Sequence, residues 1–111
     1  MKLFIDSSDN KKTIIKLNGK QFTKTYSSPR EQNVLGAIQQ ALKKEDKTLK
    51  DITEIKVNTG PGSFTGLRVG ISIANALSYA LKIPINDKKP GTTITPAYGK
   101  PPNISPSKNI P

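Results

Sequence analysis

The chain contains no cysteine, no histidine and no tryptophan among its 111 residues. Without cysteine there are no disulfides and no thiolate chemistry, which fits a reducing compartment. Without histidine the usual general base near neutral pH and the commonest metal ligand are both missing. Acidic groups are scarce as well: eight Asp and Glu stand against eighteen Lys and Arg, for a net charge of +10. Aromatics amount to three Phe and three Tyr. No apolar run approaches the length of a membrane span. The apolar stretch Leu3-Phe4-Ile5 meets Asp6 at once, too soon for a signal peptide. These absences point to a soluble, cytoplasmic protein of one domain, able to bury roughly 65% of its unfolded surface.

The positive charge favours contact with polyanions. Yet the lysines are scattered, with no adjacent pairs beyond Lys11-Lys12, Lys43-Lys44 and Lys88-Lys89. Along the chain, aromatics are not interleaved with them as base-stacking platforms require. Nucleic-acid binding therefore stands as the alternative reading, a basic module that holds RNA.

Against this plain background one run stands out. Thr59 to Gly70 reads Thr-Gly-Pro-Gly-Ser-Phe-Thr-Gly-Leu-Arg-Val-Gly and opens into an apolar helical pattern. Gly60-Pro61-Gly62 reads as a turn, since Pro fixes φ and glycine tolerates positive φ. Gly66 and Gly70 fall inside the helix, where each costs about 1 kcal/mol relative to alanine. That cost is reasonable if another backbone comes very close. Gly66, Gly70, Ala74 and Ser78 recur every four residues and form one ridge of small side chains. Such a ridge admits a neighbouring helix, either of the same domain or of a partner.

The order of elements follows from periodicity. Leu3-Phe4-Ile5 predicts a strand ending in a polar turn. Asn18-Gly19, between Thr13–Leu17 and Gln21–Tyr26, predicts a hairpin with a type I′ turn. Ser28-Pro29-Arg30-Glu31 predicts a capped helix start, with an apolar stripe of Val34, Leu35, Ile38, Ala41 and Leu42 running to Lys44. Thr48 to Asp51 predicts one further capped turn. Glu54–Asn58 predicts a strand feeding the second long helix, Phe64 to Leu81, and Lys82–Asn86 a last short strand. From Asp87 the composition changes, and six of the nine prolines lie in the tail. Residues 1–87 are expected to form the domain, and 88–111 a Pro-rich extended or mobile tail.

The order β-β-β-α-β-α-β resembles one lobe of the actin-like (ASKHA) fold: an α/β domain with a mixed five-stranded sheet and two main helices. The opening Leu3-Phe4-Ile5-Asp6-Ser7-Ser8 and the run Thr59 to Gly70, followed by Ala74, Leu77 and Ala80-Leu81-Lys82-Ile83-Pro84, are similar to the TsaB (YeaZ) family over residues 1 to 87. The resemblance implies a non-catalytic subunit of the machinery that makes threonylcarbamoyladenosine on tRNA. Its implied partner is TsaD, which carries the transfer chemistry, with TsaE joining through the complex; contact with tRNA is then indirect and no membrane is involved. In that family the two long helices form the dimer surface, for self-association and for pairing with TsaD. Carried onto this chain, the partner-binding residues are Val34, Ile38, Phe64, Gly66, Arg68, Gly70, Ala74 and Ser78. Two departures stand out: relatives usually have a second lobe where this chain has its tail, and often a His-Ser pair where this chain has Gln32-Asn33.

No catalytic, cofactor-binding or metal-ligating residue is expected. Asp6 reads as a partner of the turn at Ser7 and Ser8 rather than as the remnant of a nucleotide site. Gly60 to Ser63 lacks the GKS or GKT ending of a phosphate loop, and Ser63 reads as a helix cap. Arg68 gains nothing from the helix dipole in the first turns, which suits either an acidic or carbonyl partner or a solvated position.

Overall fold

The structure is a computed structural model that describes residues 1–97. Three strands form an antiparallel meander: β1 (Lys2–Asp6), β2 (Lys12–Leu17) and β3 (Lys20–Thr25). Asn18 and Gly19, with φ of 50° and 88°, make the tight turn between β2 and β3, as a type I′ hairpin requires. Helix α1 (Val34–Lys44) follows, then β4 (Glu54–Val57), which pairs parallel to β1, and finally α2 (Phe64–Leu81). The sheet order is β3-β2-β1-β4.

Alternation within the strands builds one core. Leu3, Ile5, Ile15, Leu17, Ile55 and Val57 point to the same side and are buried there, under α1 (Val34, Ala37, Ile38, Ala41, Leu42) and α2 (Leu67, Ile71, Ala74). Both helices lie on this face. Among the described residues, no helix is long and apolar enough to cross a membrane.

Two local expectations need correction. The first helix does not start at Pro29. Pro29–Glu31 is a separate 3-10 turn, and Asn33 caps α1 by accepting the Gly36 amide at 2.9 Å. Glu31 instead accepts from the Ser27 hydroxyl at 2.7 Å.

Among the described residues the sheet has four strands, not five. Ile85 makes only isolated bridges, parallel to Ile55 and antiparallel to Lys88. Asn86 and Asp87, with φ of 48° and 63°, turn the chain away. The Asn86 side-chain amide supplies the next rung, accepting from the Val57 amide at 2.8 Å and donating to its carbonyl at 3.2 Å.

The first part of the expected tail lies against α2. Residues 88–97 run back along α2 toward its N-terminus. Gly91 donates to Ser78 Oγ at 3.0 Å. Asn75 holds Ile94 through both backbone groups, at 2.9 and 3.0 Å, and Ile94 is buried. The Ala97 amide then reaches the Thr59 carbonyl at 2.7 Å. One side-chain amide and one isoleucine thus dock a segment whose composition alone predicts no packing. The rest of the expected tail, 98–111, lies outside the described residues.

Candidate partner-docking site on helix α2

Helix α2 begins where Ser63 Oγ accepts the Gly66 amide at 3.2 Å, the cap that the residue types suggest. The loop before it is tied to the end of β1. Ser63 donates its amide to the Ser8 carbonyl at 2.7 Å, and Asn58 to the Ile5 carbonyl at 2.9 Å. A Cβ on Gly62 would sit 2.5 Å from that of Ser8, so the two turns touch with no room for a side chain.

Asp6 organises the neighbouring turn. Its Oδ1 accepts from the Ser8 backbone amide at 2.9 Å, the Ser8 hydroxyl at 2.7 Å and the Asn58 side-chain Nδ2 at 3.1 Å. Burial pushes its carboxyl up, but these hydrogen bonds and the Lys12 charge outweigh that, holding it below the usual carboxylate range. With Oδ1 taken up in this way, Asp6 serves the turn. Among the described residues, no three acidic side chains gather as a cation site requires.

The ridge of small residues faces inward. Gly66, Gly70, Ala74 and Ser78 are all buried. Ser7, at the end of β1, is the reason: it is fully buried and its hydroxyl donates to the Gly66 carbonyl at 2.7 Å. A Cβ on Gly66 would collide with the Ser7 carbonyl, and one on Gly70 with the Ser7 hydroxyl. The close neighbour is therefore the chain's own backbone at β1. Ser78 is likewise used internally, donating to the Ile83 carbonyl at 2.7 Å.

Val34 and Ile38 are buried in the same core. Of the eight residues expected to bind a partner, these two and the four ridge residues are buried within the chain's own fold. Phe64 and Arg68 remain at the surface. Phe64 is 54% exposed, and the Arg68 guanidinium lies over its ring at 5.2 Å from the centroid, a cation–π geometry.

These two residues belong to a strip that sequence reasoning missed. With Thr65, Val69, Ser72 and Ile73 they line a shallow groove of about 450 Å³ on the outer face of α2. Exposed Leu35 lies on α1, the helix packed beside α2. The signal was available, since Thr65, Arg68, Ser72 and Tyr79 fall opposite the ridge at helical spacing.

A family model described as "TsaD: tRNA N6-adenosine threonylcarbamoyltransferase" matches residues 24–87, more than half of the chain. The tRNA threonylcarbamoyladenosine biosynthesis protein TsaB of Buchnera aphidicola subsp. Schizaphis graminum is 46% identical over 52 residues, 47% of this chain and 25% of that protein. The chain belongs to this family, on its TsaB (YeaZ) side. The TsaB of Escherichia coli is 41% identical over 59 residues, 51% of this chain and 26% of that protein. The solved structure of YeaZ from Pseudomonas aeruginosa superposes with a TM-score of 0.62 at 26% identity, over 76% of this chain and 42% of that one. The actin-like lobe expected from the order of elements is thus shared with a TsaB/YeaZ relative. The aligned stretches span about a quarter of the curated TsaB proteins and less than half of the solved one.

Proposed function

We propose that this chain is a cytoplasmic accessory subunit in threonylcarbamoyladenosine synthesis on tRNA, binding and ordering the catalytic subunit TsaD without contributing a reacting group. The exposed groove on α2 carries the reading. Phe64, Val69 and Ile73 offer apolar contact, and Arg68 offers a charge placed over an aromatic ring. Aromatic residues and arginine are what interfaces concentrate at their centres. The absence of histidine throughout the chain supports a role in positioning rather than in proton or metal chemistry. A second copy of this chain is the other occupant that such a helix face accommodates, and TsaE joins through the complex.

The test is co-purification with TsaD from the same organism, followed by a tRNA modification assay with and without this chain. Ser72→Arg places a bulky charge in the middle of the groove at an exposed position. It is expected to abolish pairing and stimulation while leaving thermal unfolding unchanged. Undiminished pairing by this variant would place the docking surface elsewhere.

A further inference from the structure

The face of the sheet opposite the two helices carries side chains that are only half-buried or exposed: Lys2, Phe4, Asp6, Ile14, Lys16, Glu54 and Lys56 among them. Pairing places Phe4 directly opposite Lys16 on β2 and directly opposite Lys56 on β4. Adjacent strands lie about 4.8 Å apart, so the two lysines flank one aromatic ring at roughly 10 Å from each other. Lys2 lies two residues along the same strand, on the same side. The Lys16 ammonium already sits over the Phe4 ring, 5.4 Å from its centroid. Together with Asn86 and Asp87 these residues line a groove of about 510 Å³.

From this arrangement we infer that the helix-free face of the sheet binds single-stranded RNA, a base stacking on Phe4 and the backbone phosphates contacting Lys2, Lys16 and Lys56. The linear sequence argues against such a platform because Phe4, Lys16 and Lys56 are far apart in it. Strand register assembles what the spacing hides. Aromatic rings on a sheet, flanked by cations, recognise unpaired nucleotides by stacking and charge.

The charges within the groove favour an anion. Three lysines face one carboxylate, Asp87, which is exposed and pairs with Lys56 at 2.7 Å. Glu54 lies opposite Lys2 at the rim, and Asp6 is engaged by Ser8 and Asn58. A second copy is disfavoured, since it would set lysines against lysines. An acidic peptide would satisfy the lysines but leave the ring without a stacking partner.

The inference does not rest on TsaD docking, which uses α2 on the other side of the molecule. The full chain is titrated with a fluorescent oligouridylate of about ten nucleotides, with anisotropy read at several salt concentrations. Binding is expected at low salt. Lys2→Gln combined with Lys16→Gln should weaken it roughly tenfold and reduce the salt slope by about 1.4, two phosphate contacts' worth for a single strand. Phe4→Leu should weaken it about fivefold or more, and Phe4→Tyr should restore it.

Lys43→Gln combined with Lys44→Gln removes the same charge from α1 and should change affinity less than about twofold. Equal weakening by this control pair, or no binding at low salt, overturns the proposal. So does equal binding of polyglutamate that is indifferent to Phe4→Leu, which would assign the face to acidic protein. Should Phe4→Leu fail to fold, the two lysine pairs decide alone. Ser72→Arg should leave oligonucleotide binding intact, which separates this site from the α2 groove.

Discussion

The two sides of α2 are built from the same eighteen residues and serve opposite ends. The inner side is small and dense: Gly66 and Gly70 let Ser7 approach until no added methyl group fits, and Ala74 and Ser78 continue the buried side. The outer side is larger and looser, with Phe64, Arg68, Val69 and Ser72 around a shallow groove. Small residues at helical spacing report that something comes close. They do not report what. Here the chain's own strand end lies against the ridge, and the exposed groove lies about half a turn away.

That contrast is broken most severely at Gly70. Leucine there must displace Ser7 and Ile5 from the middle of the core, so Gly70→Leu is expected to cost about 3 kcal/mol or more in urea denaturation. A loss of TsaD pairing by this variant would then reflect lost folding rather than a blocked surface. Gly66→Ala is a finer probe. Alanine gains about 1 kcal/mol of helix propensity, but its methyl group meets the Ser7 carbonyl, which is backbone and yields little. A net loss of about 1–2 kcal/mol is expected, whereas a net gain would mean that α2 is free to slide away from β1.

Asn75 tests the flank between the two sides. Asn75→Ala leaves the Ile94 amide and carbonyl without partners, at a cost of about 2 kcal/mol. Hydrogen exchange at the Ile94 amide should accelerate more than exchange within β1. Protonating Asp6 acts more weakly and only in acid. Its folded pKa is depressed, so its contribution is present above the unfolded value of about 3.9 and is lost as pH falls through the folded one. Asp6→Asn should flatten the decline in stability below about pH 4. The smallest stability change is expected for Ser72→Arg, within about 0.5 kcal/mol, although it should have the largest effect on pairing. Those two readouts moving together would erase the distinction between the sides.

Much of this was legible in the residues. Asn18-Gly19 specified the hairpin because both positions need positive φ, and Ser63 specified the start of α2 by its hydroxyl. Where local signals competed, the sequence was less decisive. Ser28-Pro29 predicts the start of α1, yet Pro29–Glu31 closes as a separate turn and the helix begins only after Asn33, where Val34 enters the core. The fate of Ile94 was invisible, because one isoleucine in a Pro-rich stretch carries no period and its clamp, Asn75, lies on a helix nineteen residues away. The grouping of Phe4, Lys16 and Lys56 was equally hidden, since register across strands is a property of the fold rather than of spacing.

The amide of Asn86 has one more consequence. A sheet that stops at four strands leaves an unsatisfied margin, and such margins recruit strands from other molecules. Here Pro84 and Asn86 engage Ile55 at 2.9 Å, and the Asn86 side chain then caps both backbone groups of Val57. The β4 margin is sealed along these residues by a single turn of chain. Among the described residues the open border is β3, where Lys20 pairs with Glu45 at 3.0 Å and Lys24 adds a further positive charge.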